Sequence, residues 1–281
     1  PMYPSSRASL TSCAATASPF STRKLFEDLS RHADLIKILT TIGDAAIPGA
    51  PIDPEHPQRV TNCSVGKVVT RMCKGEGGAN KRFICDTKYD GERLLVHKDA
   101  SDGGDGFSFH SRNMLAVPER KMGGVRDRLG RALVPEVHLS QMRLPAGKIL
   151  KCQSVVLDCE ILSESTFGSQ NKVSKIEIME KGARIYPFDV MHYNGHAVCN
   201  LPLHKRRTLL HAIIQHTPNQ VEHIETLEIT LGAGHTSMEH QLQRAFDETI
   251  KHGIEGLVVK PVNSKYVFGG TDWVKVKKGY I

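Results

Sequence analysis

An α+β fold, built of antiparallel sheets flanked by helices, is what this sequence predicts, and three observations carry it. Short runs rich in β-branched and aromatic residues outnumber the helix-like stretches. They do not alternate with helices in the regular way that a doubly wound parallel sheet requires. The chain of 281 residues, 40% hydrophobic and 24% charged, can bury a sizeable core in one large domain or two smaller ones.

Taken in order, residues 1–22 contain no acid and are rich in Ser, Ala and Thr, so they are expected to be a disordered or linker segment. An organellar transit sequence is the other option. The chain opens on proline, the mark expected of an excised segment. Residues 23–58 read as a helix followed by a proline-rich connector. Leu25, Leu29, Ile36 and Leu39 fall near helical spacing, Gly43 is placed to stop the helix, and prolines recur at 48, 51, 54 and 57. From residue 59 the character changes to short strands, expected at 82–87, 92–98, 106–110, 155–162, 184–190, 221–229, 256–261 and 272–277. Helices are expected at 203–216 and 236–252. The second opens with a Thr236–Glu239 capping box and closes at Gly253. "KGEGGANK" at 74–81 fails the phosphate-loop spacing GxxxxGK[ST] and is read as a mobile surface loop.

Charge and composition narrow the function classes. A net charge of +7 favours polyanionic partners such as nucleic acid or nucleotides. No apolar run approaches the ~20 residues of a membrane-spanning helix, so no membrane partner is expected. Seven cysteines without CxxC spacing read as reduced, mostly buried thiols rather than a disulfide or zinc framework. The fourteen histidines form no HExxH or HxH cluster.

The most unusual stretch is "ICDTKYDGERLLVHKD", residues 84–99, which sets Lys88-Tyr89-Asp90-Gly91-Glu92-Arg93 between apolar runs. A plain hairpin turn explains Asp90-Gly91 but not the flanking Lys88 and Arg93. Downstream, in order, come "SRN" at 111–113, "VVLDCEIL" at 155–162, "RIYPFDVMHYNG" at 184–195, "EGLVVKP" at 255–261 and "WVKVKKGY" at 273–280.

This series resembles the adenylation (nucleotidyltransferase) domain of ATP-dependent DNA ligases over about residues 80–281, with "LPLHKRRTLL" at 201–210 also ligase-like. The wording "TKYDGERLLVHKD" is most similar to the eukaryotic DNA ligase IV group, with the ligase I group the nearest competitor. The resemblance implies an ATP-grasp-like nucleotidyltransferase domain over 59–281 with a nucleotide cleft between its sheets. It also implies ATP as substrate, Mg²⁺ as cofactor and nicked or broken double-stranded DNA as partner. An end-joining scaffold protein is a further implied partner, and the nucleus the implied location. No sequence for the OB-fold domain that such ligases carry next follows Ile281, so a fragment is expected.

In the resemblance Lys88 attacks the α-phosphorus of ATP, which needs a neutral amine. A free lysine of pKa about 10.4 is neutral only about once in 2,500 at pH 7, so nearby cations must favour deprotonation. Arg93, Lys275 and Lys277 are the cations expected to do this and to neutralise the α-phosphate. Glu160 is expected at the ribose and a divalent metal, and Glu255 at the catalytic Mg²⁺, since hard carboxylate oxygens suit that ion. Phe188 is expected to stack on adenine, with core packing as its alternative. Lys260 is expected to touch phosphate, or else to snorkel to solvent. Arg112 is expected at ribose or DNA phosphate. Gly91 serves either a positive φ or a close backbone approach.

Two positions depart from the pattern. Asp86 stands where a glutamate near the adenine edge is usual, and Cys159 stands where glycine is common. A GTP-using mRNA-capping guanylyltransferase and a catalytically silent nucleic-acid scaffold are the competing functions.

Overall fold

The computed structural model describes residues 52–59, 64–74, 82–100, 106–118, 122–133, 136–138, 149–163, 183–230 and 235–279. Its strands are β1 (Gln58–Arg59), β2 (Arg82–Lys88), β3 (Glu92–Asp99), β4 (Phe107–Ser111), β5 (Glu136–His138), β6 (Ile149–Lys151), β7 (Ser154–Ser163), β8 (Ala183–Tyr193), β9 (His196–Ala197), β10 (Thr226–Thr230), β11 (Gly256–Pro261) and β12 (Val274–Lys277). Its helices are α1 (Val65–Met72), α2 (Gly123–Ala132), α3 (Leu203–Ile213) and α4 (His235–Lys251).

Two five-stranded sheets form the body. The first runs β1-β12-β11-β2-β10 and the second β4-β3-β7-β8-β9, while β5 and β6 pair separately. Among the strand pairings of the described residues β1–β12 is parallel and the others are antiparallel.

Period-two alternation decides which face each strand buries. On β2, Phe83 and Cys85 point outward beneath α1 and α4, where Val68, Val69, Met238 and Leu242 close a core with Leu257, Val259, Val274 and Val276. On the second sheet Leu94, Val96, Leu157, Cys159 and Ile161 pack under α2 and α3 through Val125, Leu129, Leu209, Leu210 and Ile213. Each such fully buried side chain stabilises the fold by about 1.5–3 kcal/mol. The inner faces meet in a third cluster, where Leu95, Val156, Phe188 and Met191 join Tyr266 and Trp273.

The expected strands at 82–87, 92–98, 106–110, 155–162, 184–190 and 256–261 all form, with ends shifted by a few residues. The strand expected at 221–229 shrinks to Thr226–Thr230, because a tight turn precedes it. Thr217 and Val221 are bridged there, and Asn219 takes φ 62°. The strand expected at 272–277 begins only at Val274, and the helix expected at 203–216 stops at Ile213, where Ile214 bridges to Leu133. Helix α4 closes near Gly253 at φ 76°, as its sequence implies. The Thr236 side chain, residues 1–51 and the 75–81 loop lie outside the described residues.

The sequence reading missed both α1 and α2: α1 carries an apolar stripe of Val65, Val68, Val69 and Met72, all buried, whereas α2 is glycine-rich and charged and forms because Val125 and Leu129 find a sheet to cover. The proline-rich stretch expected as a connector is bonded to the body where it is described. Gly269 N donates to Asp53 O at 3.0 Å, His56 N to Gly270 O at 2.7 Å and Gln58 N to Trp273 O at 2.7 Å. Residues 52–58 thus form a strap along the 266–273 segment. Five described cysteines, 73, 85, 152, 159 and 199, are buried free thiols.

Candidate active site

Lys88 ends β2 in the first sheet, and Arg93 lies at the start of β3 in the second. The turn Tyr89-Asp90-Gly91 therefore crosses from one sheet to the other and closes no hairpin. Gly91 answers to the close approach: a Cβ there would lie 2.4 Å from Ile161 O. The charged stretch is where the chain bridges the mouth of the cleft.

Register then aligns the basic residues. Gly256 of β11 pairs with Lys88 on one side and Lys277 on the other. A Cβ on Gly256 would meet Val276 O at 2.0 Å, and its φ of 151° disfavours any side chain. The two lysines consequently flank a bare backbone, and both reach the neighbouring Glu255. Lys88 Nζ donates to Glu255 Oε2, and Lys277 Nζ donates to Oε1 at 3.1 Å. Burial pushes the Glu255 carboxyl up, but the hydrogen bond and charge of Lys88, then those of Lys277, outweigh it and hold the carboxyl below its ordinary value. Lys275 sits half-buried one row further in, opposite Val258.

The second sheet supplies the facing wall. Arg93 pairs in register with Glu160. Its guanidinium forks onto Asp158, Nε to Oδ1 at 2.9 Å and Nη2 to Oδ2 at 2.5 Å, and its Nη1 donates to Glu55 O at 2.6 Å. Arg93, expected among the cations near Lys88, is thus a compensated cation. Glu160 Oε1 accepts from Gly91 N at 3.1 Å. Burial pushes its carboxyl up to about 7, against the opposing pull of Lys88 and Arg93. Cys159 turns away from the cleft into the helix-covered core, which accommodates its side chain.

Asp86, Lys260 and Phe188 make the floor. Asp86 is buried and takes Arg207 Nη2 and, at 2.7 Å, Lys260 Nζ on Oδ2, with Thr226 Oγ1 on Oδ1 at 2.7 Å. Burial pushes this carboxyl up, but Arg207 and Lys260 outweigh it and hold it below its usual range. Lys260 does not snorkel: it is 2% exposed, and its ammonium lies 4.6 Å from the Phe188 ring centroid and 3.9 Å from that of Trp273. Burial pushes the Lys260 ammonium down, against the pull of Asp86. Arg112 is exposed in the turn after β4, just beyond Ser111, which pairs with Leu94.

Several residues here escaped the sequence reading: Trp273, Tyr266, Asp158, Arg206, Arg207 and Glu55. Asp158 left a signal, since a second carboxylate inside the apolar run "VVLDCEIL" needs a partner. Arg206 and Arg207 left one too, as two cations on a helix that covers a sheet. Glu55 left none, because proline-rich surroundings suggest solvent. Among the described residues no group of three His, Cys, Asp or Glu side chains gathers into a protein-only metal cage. Glu160 and Glu255 both address Lys88, and two hard carboxylates beside a phosphate site are a donor set that suits Mg²⁺ completed by phosphate and water oxygens.

Residues 58–277 match the family described as ATP dependent DNA ligase domain. A DNA ligase of Variola virus is 28% identical over 246 residues, covering 82% of this chain and 40% of the viral protein. DNA ligase 3 of Dictyostelium discoideum is 29% identical over 231 residues, covering 82% of this chain and 17% of that protein. The chain thus spans well under half the length of these relatives. A solved structure named Pmar-Lig_Pre shares the fold with a TM-score of 0.51 at 16% identity, over 81% of this chain and 47% of that one. With Lys88, Glu255 and Lys277 meeting on one cleft edge and the family match spanning all three, the chain belongs to the ATP dependent DNA ligase domain family.

Proposed function

We propose that this chain carries the self-adenylation step of an ATP-dependent DNA ligase, with Lys88 as the nucleophile. The observation that supports it is the meeting of Lys88 with Glu255, 167 positions away, and with Lys277 on the same carboxylate. In the reaction the Lys88 amine attacks the α-phosphorus of ATP. A P–N bond forms, the bond to the β-phosphate oxygen breaks, and pyrophosphate leaves. A 5′-phosphate oxygen at a DNA nick then takes the AMP, and a 3′-hydroxyl displaces AMP to seal the strand.

The side chains supply three things. Glu255 engages Lys88 Nζ, so the pair must part before the amine attacks. Lys277 and Lys275 lie on the same face to meet the α-phosphate. Phe188 is the ring for adenine, and Lys260, whose ammonium lies 4.6 Å from that ring's centroid, is the cation for a phosphate. Glu160 and Glu255 would hold Mg²⁺, which when bound draws off negative charge from the phosphates.

We extend the proposal to nicked or broken duplex DNA as substrate, with Arg112 near its phosphates, to repair of DNA breaks in the nucleus, and to a scaffold protein as partner. The ligase IV-type wording of "TKYDGERLLVHKD" supports this extension. The test is intact mass measurement after incubation with ATP or GTP and Mg²⁺, followed by peptide mapping. An AMP adduct on Lys88 is expected, and labelling by GTP alone, or at another residue, would overturn the reading.

A further inference from the structure

Glu55 is the buried acid that the adenylation reading leaves without a task. It lies in the strap before β1 and is 0% exposed. Its backbone is fully engaged: the amide donates to Tyr266 Oη at 3.2 Å and the carbonyl accepts from Arg93 at 2.6 Å. Its carboxyl is not. Oε2 accepts from Val267 N at 3.2 Å, while Oε1 is buried without a hydrogen-bond partner. A buried polar atom left so is costly, so its presence in the strap calls for a cause.

The surrounding charges supply one. Three buried or nearly buried cations, Arg93, Arg206 and Lys260, lie against the rings of Phe188, Tyr266 and Trp273, and a fourth, Arg207, shares Asp86 with Lys260. Three carboxylates answer them. Asp158 holds Arg93, Asp189 holds Arg206, and Asp86 is shared by Arg207 and Lys260. Within this set the cations outnumber the carboxylates by one, on the Arg207–Asp86–Lys260 trio. The groups acting on the Glu55 carboxyl are Lys260 from β11, Asp189 from β8, Arg206 from α3 and Asp272 from the segment before β12. Burial, chiefly, pushes that carboxyl up to about 7, against the pull of the Val267 amide and Lys260.

We propose that Glu55 is a positioning residue that acts as the counter-ion of the nucleotide cleft, partly ionised beside Lys260 when the cleft is empty and protonated when a nucleotide phosphate arrives. This rests on the adenylation reading above. The arriving phosphate brings negative charge to a cluster that Glu55 already partly balances, and the cheapest way to restore neutrality is for the carboxylate to take up a proton from the buffer. The proton returns to the buffer when the nucleotide leaves. Nucleotide affinity is therefore coupled to proton uptake, and it weakens as pH rises through about 7.

Calorimetric titration of the full chain with α,β-methylene-ATP, which cannot transfer AMP, tests this in two buffers of different ionisation enthalpy. At pH 7 the unaltered chain should take up about half a proton per nucleotide more than Glu55→Gln does, because a group titrating there is about half ionised when the cleft is empty. Equal uptake by the two proteins overturns the inference while leaving the nucleotide reading intact. Absence of binding by the unaltered chain overturns that reading, and this inference with it. Should Glu55→Gln fail to fold, Glu55→Met serves in its place. Should both fail, uptake by the unaltered chain at pH 7 that is undiminished at pH 9 overturns the inference, and uptake that vanishes there supports it.

Discussion

Lys88 and Glu255 form an ion pair across adjacent strands, and Lys277 binds the second oxygen of the same carboxylate. The arrangement places both basic groups beside the bare backbone of Gly256.

Replacing Lys88 removes the nucleophile without removing a core contact, since the side chain is 22% exposed. Lys88→Ala should form no covalent AMP and keep a thermal midpoint within about 2 °C of the parent. Lys88→Arg should be equally inactive, because arginine stays protonated. Gel labelling with α-labelled ATP and a melting curve check both, and an adduct in either variant removes Lys88 from its role.

Removing the shared carboxylate tests metal binding. Glu255→Ala should leave nucleotide affinity within about threefold of the parent yet raise the Mg²⁺ needed for half-maximal AMP transfer at least tenfold. A Mg²⁺ titration of single-turnover labelling measures this. An unchanged midpoint would make Glu255 a partner for lysines only.

Glu160 gives a pH dependence with a definite sign. Folded, it keeps its proton up to about pH 7, whereas its ordinary value is 4.5. Between those values the folded chain binds more protons than the unfolded one, so this residue's contribution to stability falls as pH rises through that window. Glu160→Gln cannot titrate and should melt a few degrees above the parent at pH 8 but close to it at pH 4.5, taking about 2–4 °C per kcal/mol. AMP transfer has the opposite slope, rising with pH through about 7 in the parent as the carboxylate forms, and should be low and flat in the variant. Parallel melting curves at the two pH values would refute this assignment.

Arg206 tests the fold rather than the chemistry. It is 0% exposed, forks onto the equally buried Asp189 at 2.8 and 2.9 Å, and donates to Leu201 O and Ser264 O, tying the start of α3 to the segment after β11. Arg206→Ala leaves Asp189 buried and alone and should cost about 3–5 kcal/mol in urea unfolding. Arg206→Met with Asp189→Leu should recover most of that, and a double variant as unstable as the single one would contradict the account.

Gly256 joins stability to the site. Gly256→Ala drives a methyl group against Val276 O and should both destabilise the first sheet by about 2 kcal/mol or more and slow AMP transfer, because the Lys88 and Lys277 rows are pushed apart. Urea unfolding and labelling rates of the same preparation test the pairing of effects.

What the sequence determined by itself was local. β-Branched and aromatic enrichment in "FICDTK" and "GLVVKP" placed both strands, because such side chains fit a pleated, packed surface. The resemblance carried by "KYDG", "LDCE", "EGLVVK" and "WVKVK" implied Lys88, Glu160, Glu255, Lys260 and Lys277 as a set. What the tertiary structure decided was which charge answers which. Arg93, expected among the cations near Lys88, proved compensated once Asp158 was found opposite it, and Lys260 looked able to reach solvent until Trp273 and Asp86 were found around it. Glu55, in a stretch that reads as exposed connector, became a buried acid once its strap lay along residues 266–273. Electrostatic identity depends on distance and burial across 30 to 200 positions of sequence, and neither quantity exists until the two sheets face each other.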